Sequence, residues 1–327
     1  MPDGTLERSY GRVFNRVAAS YDRHRPTYPE ELIDCACEVA GVAPGDEVLE
    51  IGCGTGQLTR SLLARGLRVT AIEPGDRLAA LARQNLAGSG DVQFLNTRLE
   101  DARLPRERFQ AVFCASAIHW VDPDVSWQRA ADVLVPSGTL ALVQHFGMHD
   151  QHSADDQRAL LRAMSAIAPE IASNWPSYRD LEATLAGVYE RRENISEVWA
   201  WLGGYDVARA YTAVLFEDAQ IAAVPTPIEH AAEELNSLLG TMSFWSRLSP
   251  AQRAALQSEN RGLQERLGRP IRSSALACLV TARRASGPSP EPGAYGVTAQ
   301  MCGLPQGQGQ VPPEGHAFDP RPGISLM

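Results

Sequence analysis

The chain has 327 residues, 44% of them hydrophobic, enough for one large domain with an insertion or for two domains. Its formal net charge of −9 speaks against a general nucleic-acid or membrane-surface binder, since both need basic patches. No apolar run is long enough to span a bilayer, and residues 1–12 hold no signal-peptide core, so a cytoplasmic protein is expected. The six cysteines (35, 37, 53, 114, 278 and 302) form no C-x-x-C pair, which predicts reduced buried thiols and no metal site. Lysine is absent, so the basic groups are Arg and seven His, and lysine catalysis is excluded.

Leu6, Tyr10, Val13, Phe14, Val17 and Ala18 recur at helical spacing, and the helix they predict ends by Ser20. Pro26 and Pro29 interrupt the chain, and a second helix is expected from Pro29 at its first position to Ala40. Pro44-Gly45-Asp46 turns into a buried strand, Val48 to Ile51. Gly52, Gly54 and Gly56 follow, and Leu58, Leu62 and Leu63 open a helix near Gln57 that stops at Gly66. The glycines let the backbone approach a ligand closely, and the helix end offers free N–H groups. Leu67 to Ile72 is a second strand closed by Glu73, and Asp76 is the expected cap of a helix running to Leu86. Strands at Val92–Asn96 and Phe109–Cys114, a helix over Trp127–Leu134 and a strand over Thr139–Gln144 complete this part.

A dinucleotide fingerprint needs a third glycine at position 57, where Gln57 stands. The pattern present is Glu50-x-Gly52-x-Gly54-x-Gly56, which resembles the first motif of class I S-adenosylmethionine (SAM) methyltransferases. Three further stretches are similar to the trans-aconitate-methyltransferase-like, or type 11, branch. The first is Phe14, Ala18, Tyr21, Asp22, Arg25, Pro26, Tyr28 and Pro29. The second is Ala115-x-x-x-His119-Trp120-x-Asp122. The third is Leu134-x-Pro136-Ser137-Gly138-x-Leu140, with Ser137 replacing the family's first glycine. The resemblance implies a Rossmann-like, doubly wound, seven-stranded α/β sheet, mostly parallel with an antiparallel last strand. It implies SAM as cofactor, with the loop Gly52, Cys53, Gly54 and Gly56 against its amino-acid end and Glu50 fixing the loop and the ammonium. Glu73 would accept the ribose hydroxyls, at the usual spacing of about twenty residues past the first glycine, with Pro74 beside it. Glu100 or Asp101 would meet the adenine amino group, and Ala115 would border the site. Tyr21 and Arg25 would reach the SAM carboxylate; the alternative is a surface loop whose Arg pairs with an acid. His119 and Trp120 would line the acceptor pocket, His119 either as a base toward a hydroxyl or as a packed wall residue.

Residues 1–40 are expected as N-terminal cap helices, 41–145 as the cofactor-binding core and 146–248 as a helical lid. In the lid, helices are expected at Asp155–Ala168, Tyr178–Tyr189 and Pro227–Leu239, with a hairpin around Glu217-Asp218. Thr241-x-Ser243 is similar to the family's T-x-S before a capping helix. Residues 249–284 should supply the last helix and strand of the core, and 285–327 a disordered tail. The expected function is methyl transfer from SAM to a small-molecule acceptor, most readily at oxygen, with no nucleic-acid or membrane partner and an oligomeric state left open. The rivals are a SAM-binding protein without transfer and a nicotinamide oxidoreductase.

Overall fold

In the computed structural model the described residues are 11–286, except Asn174, Pro176 and Ser177. Leu6, Tyr10 and the stretch beyond Ser286 lie outside them. The strands are β1 (Glu47–Ile51), β2 (Arg68–Ile72), β3 (Val92–Leu95), β4 (Phe109–Ala115), β5 (Leu134–Gly147), β6 (Phe216–His230) and β7 (Ile271–Arg284). They form one sheet in the order β3-β2-β1-β4-β5-β7-β6, and β7 alone runs against the rest.

The helices are α1 (Ala18–His24), α2 (Glu30–Ala40), α3 (Gln57–Ala64), α4 (Asp76–Asn85), α5 (Pro123–Val133), α6 (Ala154–Ile167), α7 (Pro169–Ala172), α8 (Leu181–Glu190), α9 (Ile195–Gly203), α10 (Ala232–Leu239) and α11 (Pro250–Leu267). Neighbouring residues of each inner strand face opposite layers. Val48, Val69, Ala111, Phe113 and Ala141 pack under α2, α3 and α4. Leu49, Ile51, Val112, Cys114 and Leu142 pack under α5, α8 and α9. Burial on both faces is why these strands read as nearly unbroken apolar runs. The chain passes from β1 to β2 and β3 on one side, then returns to β4 and β5 on the other. The crevice at the carboxyl ends of β1 and β4 is therefore the switch point, where such sheets take ligands.

Several expectations are corrected. The first helix does not end by Ser20: a 3₁₀ turn over Gly11–Val17 passes into α1, which runs to His24. Pro29 sits one residue outside α2, as its N-cap. Helix α5 begins at Pro123, four residues early, because Asp122 caps it by accepting from the Asp124 N–H at 3.0 Å. Ser137 takes φ +61° in a bulge of β5, the left-handed position for which the family pattern has glycine.

The largest correction falls in the insertion. There is no hairpin at Glu217-Asp218; β6 is one long strand on the sheet's edge, paired with β7 from Phe216 to His230. Pro227 was expected to open a helix, which begins instead at Ala232; Pro225 and Pro227 both lie in β6, where an edge strand tolerates them. They are two residues apart, so both missing N–H groups fall on the unpaired side. Helix α9 was not expected, and with α8 it packs on the sheet. Helix α11, expected in the core, packs instead with α6, α7 and α10 in two small apolar clusters.

Candidate active site

At the end of β1 the chain turns through Gly52 and Cys53, whose N–H groups both donate to the carbonyl of Ile72, at 2.8 and 3.0 Å. This fixes the corner to the end of β2. Gly52 has φ +71°, and a Cβ there would stand 2.4 Å from the Ala117 Cβ. Gly56 caps α3 at φ +93°, where a Cβ would meet Leu86 Cδ1 at 2.7 Å. These glycines answer to close packing as well as to turning.

Glu73 closes the corner from β2. Its Oε2 accepts from the Gly54 N–H at 3.0 Å and its Oε1 from the Gly75 N–H at 2.8 Å. Only 7% of the residue is exposed. Burial raises its pKa, against the two N–H donors that favour the anion. Glu50 lies deeper. It accepts from Thr59 Oγ1 at 2.6 Å, and burial pushes its carboxyl up to about 7, against the Thr59 hydrogen bond and with the Glu73 charge adding.

One cavity of 1720 Å³ runs from this corner into the lid. Tyr21, Arg25, Gly52, Gly54, Glu73 and Pro74 line its near end, and Glu100, Ala115, His119 and Trp120 its middle. Glu50, Cys53, Gly56 and Asp101 do not line it, and Glu50 is bonded to Thr59 of α3. Of the two adjacent acids, Asp101 is exposed and paired with Arg98 at 2.6 Å. Glu100 reaches the cavity and accepts from the Asp122 N–H at 3.3 Å.

The N-terminal segment forms one wall. Arg25 donates from Nε to Thr241 Oγ1 at 3.0 Å and from an Nη to the Thr241 carbonyl at 2.8 Å. Its guanidinium lies 5.1 Å from the Tyr21 ring centroid, and no carboxylate among the described residues pairs with it. Asn15 was missed by sequence reasoning. Its Oδ1 accepts from the N–H groups of Arg77 (2.7 Å) and Leu78 (3.4 Å), so Asn15, not Asp76, caps α4. A cap supplied from sixty residues away leaves no local signal.

Beyond β4 the chain turns sharply. Ser116 takes φ +54°, a strained conformation for serine, and its Oγ lies 3.0 Å from the Tyr28 hydroxyl. His119 follows in a short 3₁₀ turn, its ring stacked on Tyr205 with centroids 3.9 Å apart and planes 4° apart. Burial, with the Arg25 charge adding, pushes its pKa down to about 3, so the imidazole is neutral near pH 7. Gln144 on β5 was also missed; its amide is bonded to the hydroxyl of Tyr205, one of the insertion's aromatic residues, which follows α9. Past them the cavity enters a chamber walled by Met164, Ile171, Trp175, Leu239 and Phe244.

The "Methyltransferase domain" family profile matches residues 49–142. An uncharacterized methyltransferase of Mycobacterium tuberculosis is 38% identical over 136 residues, 42% of this chain and 53% of that protein. The chain thus spans about half the length of that relative. A demethylmenaquinone methyltransferase of Tropheryma whipplei is 31% identical over 188 residues, 55% of this chain and 77% of that protein. The chain belongs to the class I SAM-dependent methyltransferases. The fold agrees: a putative type II methyltransferase from Anaeromyxobacter dehalogenans superposes with a TM-score of 0.53 at 21% identity, over 80% of this chain and 99% of that one.

The family's cofactor is SAM, and the cavity's donor set fits it. SAM carries a vicinal diol, an adenine amino group and a carboxylate. The cavity offers a carboxylate with lone pairs to spare and an arginine without an acidic partner among the described residues at its near end, and a second acid, Glu100, further in. Among the described residues, no helix is long and apolar enough to cross a membrane.

Proposed function

We propose that the chain transfers a methyl group from SAM to an oxygen of a small acceptor with much apolar surface. The observation that carries this is the continuity of the cavity: one space joins the glycine corner and Glu73 to the apolar chamber under α6, α7 and α10. The charge of −9 and the apolar lining of the chamber favour a small acceptor over a nucleic acid.

SAM supplies an electrophilic methyl group on a sulfonium. The residues of the chain bind, align and dry the site, and alignment of that kind is worth roughly 7–11 kcal/mol. Glu73 is assigned to the ribose hydroxyls. Its two oxygens each hold one backbone N–H, and a carboxylate has about four acceptor sites, so two remain for the diol. Glu100 is assigned to the adenine amino group in preference to Asp101. Arg25, oriented by Thr241 and backed by Tyr21, is assigned to the SAM carboxylate. Glu50 is assigned to the loop through Thr59, not to the ammonium.

His119 is assigned to the acceptor wall. A base whose conjugate acid has a pKa near 3 holds a proton poorly, which weighs against proton removal by His119; as the new O–CH3 bond forms the methyl–sulfur bond breaks, and a hydroxyl acceptor gives its proton to solvent water. Trp120 packs edge-on to Phe14 and beside His119, joining that wall to the N-terminal segment.

The test has two steps. Calorimetry should show binding of SAM and of S-adenosylhomocysteine, and an acceptor panel should release S-adenosylhomocysteine. Uptake of NADH in place of SAM would overturn the cofactor reading. SAM binding without product release from any phenol, alcohol or carboxylic acid would overturn the transfer reading.

A further inference from the structure

Two buried polar atoms in the middle of the cavity lack partners. Gln144 is 8% exposed and sits on β5 just past the point where β4 ends. One end of its amide is bonded to the Tyr205 hydroxyl, and the other end, Oε1, has no partner among the described residues. His119 Nδ1 is likewise buried and unpartnered. Gln144, His119 and Tyr205 all line the same cavity, and the His119 and Tyr205 rings are stacked. Buried amide and imidazole groups without partners are costly, and in native proteins nearly all are satisfied. A ligand is the natural source of the missing bonds here, because Gln144 and His119 both line the cavity and both contact Tyr205.

We propose that Gln144, held in place by Tyr205, binds a hydroxyl group of the methyl acceptor, together with His119, and selects acceptors in which that hydroxyl is attached to an apolar ring. This rests on the methyl-transfer reading above and names its acceptor class. A hydroxyl is the group that suits both atoms. It donates its hydrogen to the amide oxygen and accepts from the imidazole N–H, and oxygen still keeps a second lone pair. A carboxylate would bring two acceptor oxygens to an amide oxygen and a neutral ring, so it is disfavoured. The ring requirement comes from the flat stacked surface of His119 and Tyr205 and from the apolar chamber beyond. Tyr205 is a positioning residue: it acts through the amide.

The probes are 2-naphthol and 2-methylnaphthalene, which differ in one hydroxyl. Their affinities are measured by calorimetry on the full chain saturated with S-adenosylhomocysteine. The parent should bind 2-naphthol at least about 10-fold more tightly, as expected when a buried polar group finds its only partner. Gln144→Leu should abolish that preference while leaving 2-methylnaphthalene affinity within about 2-fold. Tyr205→Phe should weaken the preference in part, by freeing the amide, and Gln144→Asn should not restore it because the shorter side chain falls short. Equal binding of the two probes by the parent, no binding of either, or a full preference surviving in Gln144→Leu overturns the proposal. If S-adenosylhomocysteine binds but the probe preference is absent, this inference fails and the cofactor reading stands; if S-adenosylhomocysteine does not bind, both fall.

Discussion

The two ends of the cavity are built by different means. The cofactor end is made largely of backbone: the N–H groups of Gly52, Cys53, Gly54 and Gly75 are each bonded to a neighbour, and two of them hold the carboxylate of Glu73. The lid end is made of side chains: Met164, Ile171, Trp175 and Phe244 pack among themselves in a cluster separate from the core under the sheet. Backbone geometry admits few alternatives, whereas an apolar wall changes shape with each substitution. The contrast sets a corner fixed by backbone against a wall shaped by side chains, and Arg25, held by Thr241 of the insertion, joins the two.

Four experiments break or sharpen this contrast. On the ribose assignment Glu73→Ala takes away two charge-assisted hydrogen bonds, each worth roughly 1.5–3 kcal/mol, so SAM affinity should fall about 10³-fold in calorimetry. A variant binding as tightly as the parent would refute the ribose assignment. Next comes Glu50. A carboxyl whose folded pKa lies above its unfolded value contributes its stability in full below the unfolded pKa and loses it as pH rises through the folded one. For Glu50 that window runs from the ordinary 4.5 up to about 7. Glu50→Gln should therefore match the parent at pH 4 and exceed it above pH 7, by an amount on the order of 3 kcal/mol. Parallel stability curves for the two proteins across that range would show that Glu50 is not raised.

Gly56→Ala is the third. The new Cβ meets Leu86 at 2.7 Å in a left-handed conformation, and the fold should lose about 2 kcal/mol in urea unfolding. An unchanged midpoint would mean that α3 and α4 can move apart. The smallest effect is expected in the lid. Leu161 is 45% exposed and borders the chamber. Leu161→Ser should leave stability within about 0.5 kcal/mol and SAM affinity unchanged, while acceptor KM rises a few-fold. A loss of SAM affinity in this variant would show that the apolar wall shapes the cofactor end as well.

The sequence made the cofactor end legible for the same reason that it is rigid. A strand, a glycine corner and an acid at the next strand's end are local patterns, so β1, α3, β2 and Glu73 could be read directly. What could not be read depends on distant partners. Asn15 caps α4 across the fold, Thr241 holds Arg25, and Tyr205 meets Gln144, and none of these pairs has a sequence signature. The insertion misled for another reason. Pro225 and Pro227 argue against an inner strand, and nothing local says that a fifteen-residue segment will lie on an edge. The adjacent acids Glu100 and Asp101 show the limit most simply: they are interchangeable in composition, and only the fold turns one inward and leaves the other to Arg98.

The outer strands of the sheet have a consequence for crowded solutions. An unpaired strand is a template on which foreign chains can polymerise. Here one flank is β3, only four residues long, and the other is β6, whose outward side carries two ring-closed nitrogens that cannot donate. Replacing Pro225 and Pro227 with Val would restore those donors, and the first symptom should be self-association at high concentration, with the cofactor pocket intact.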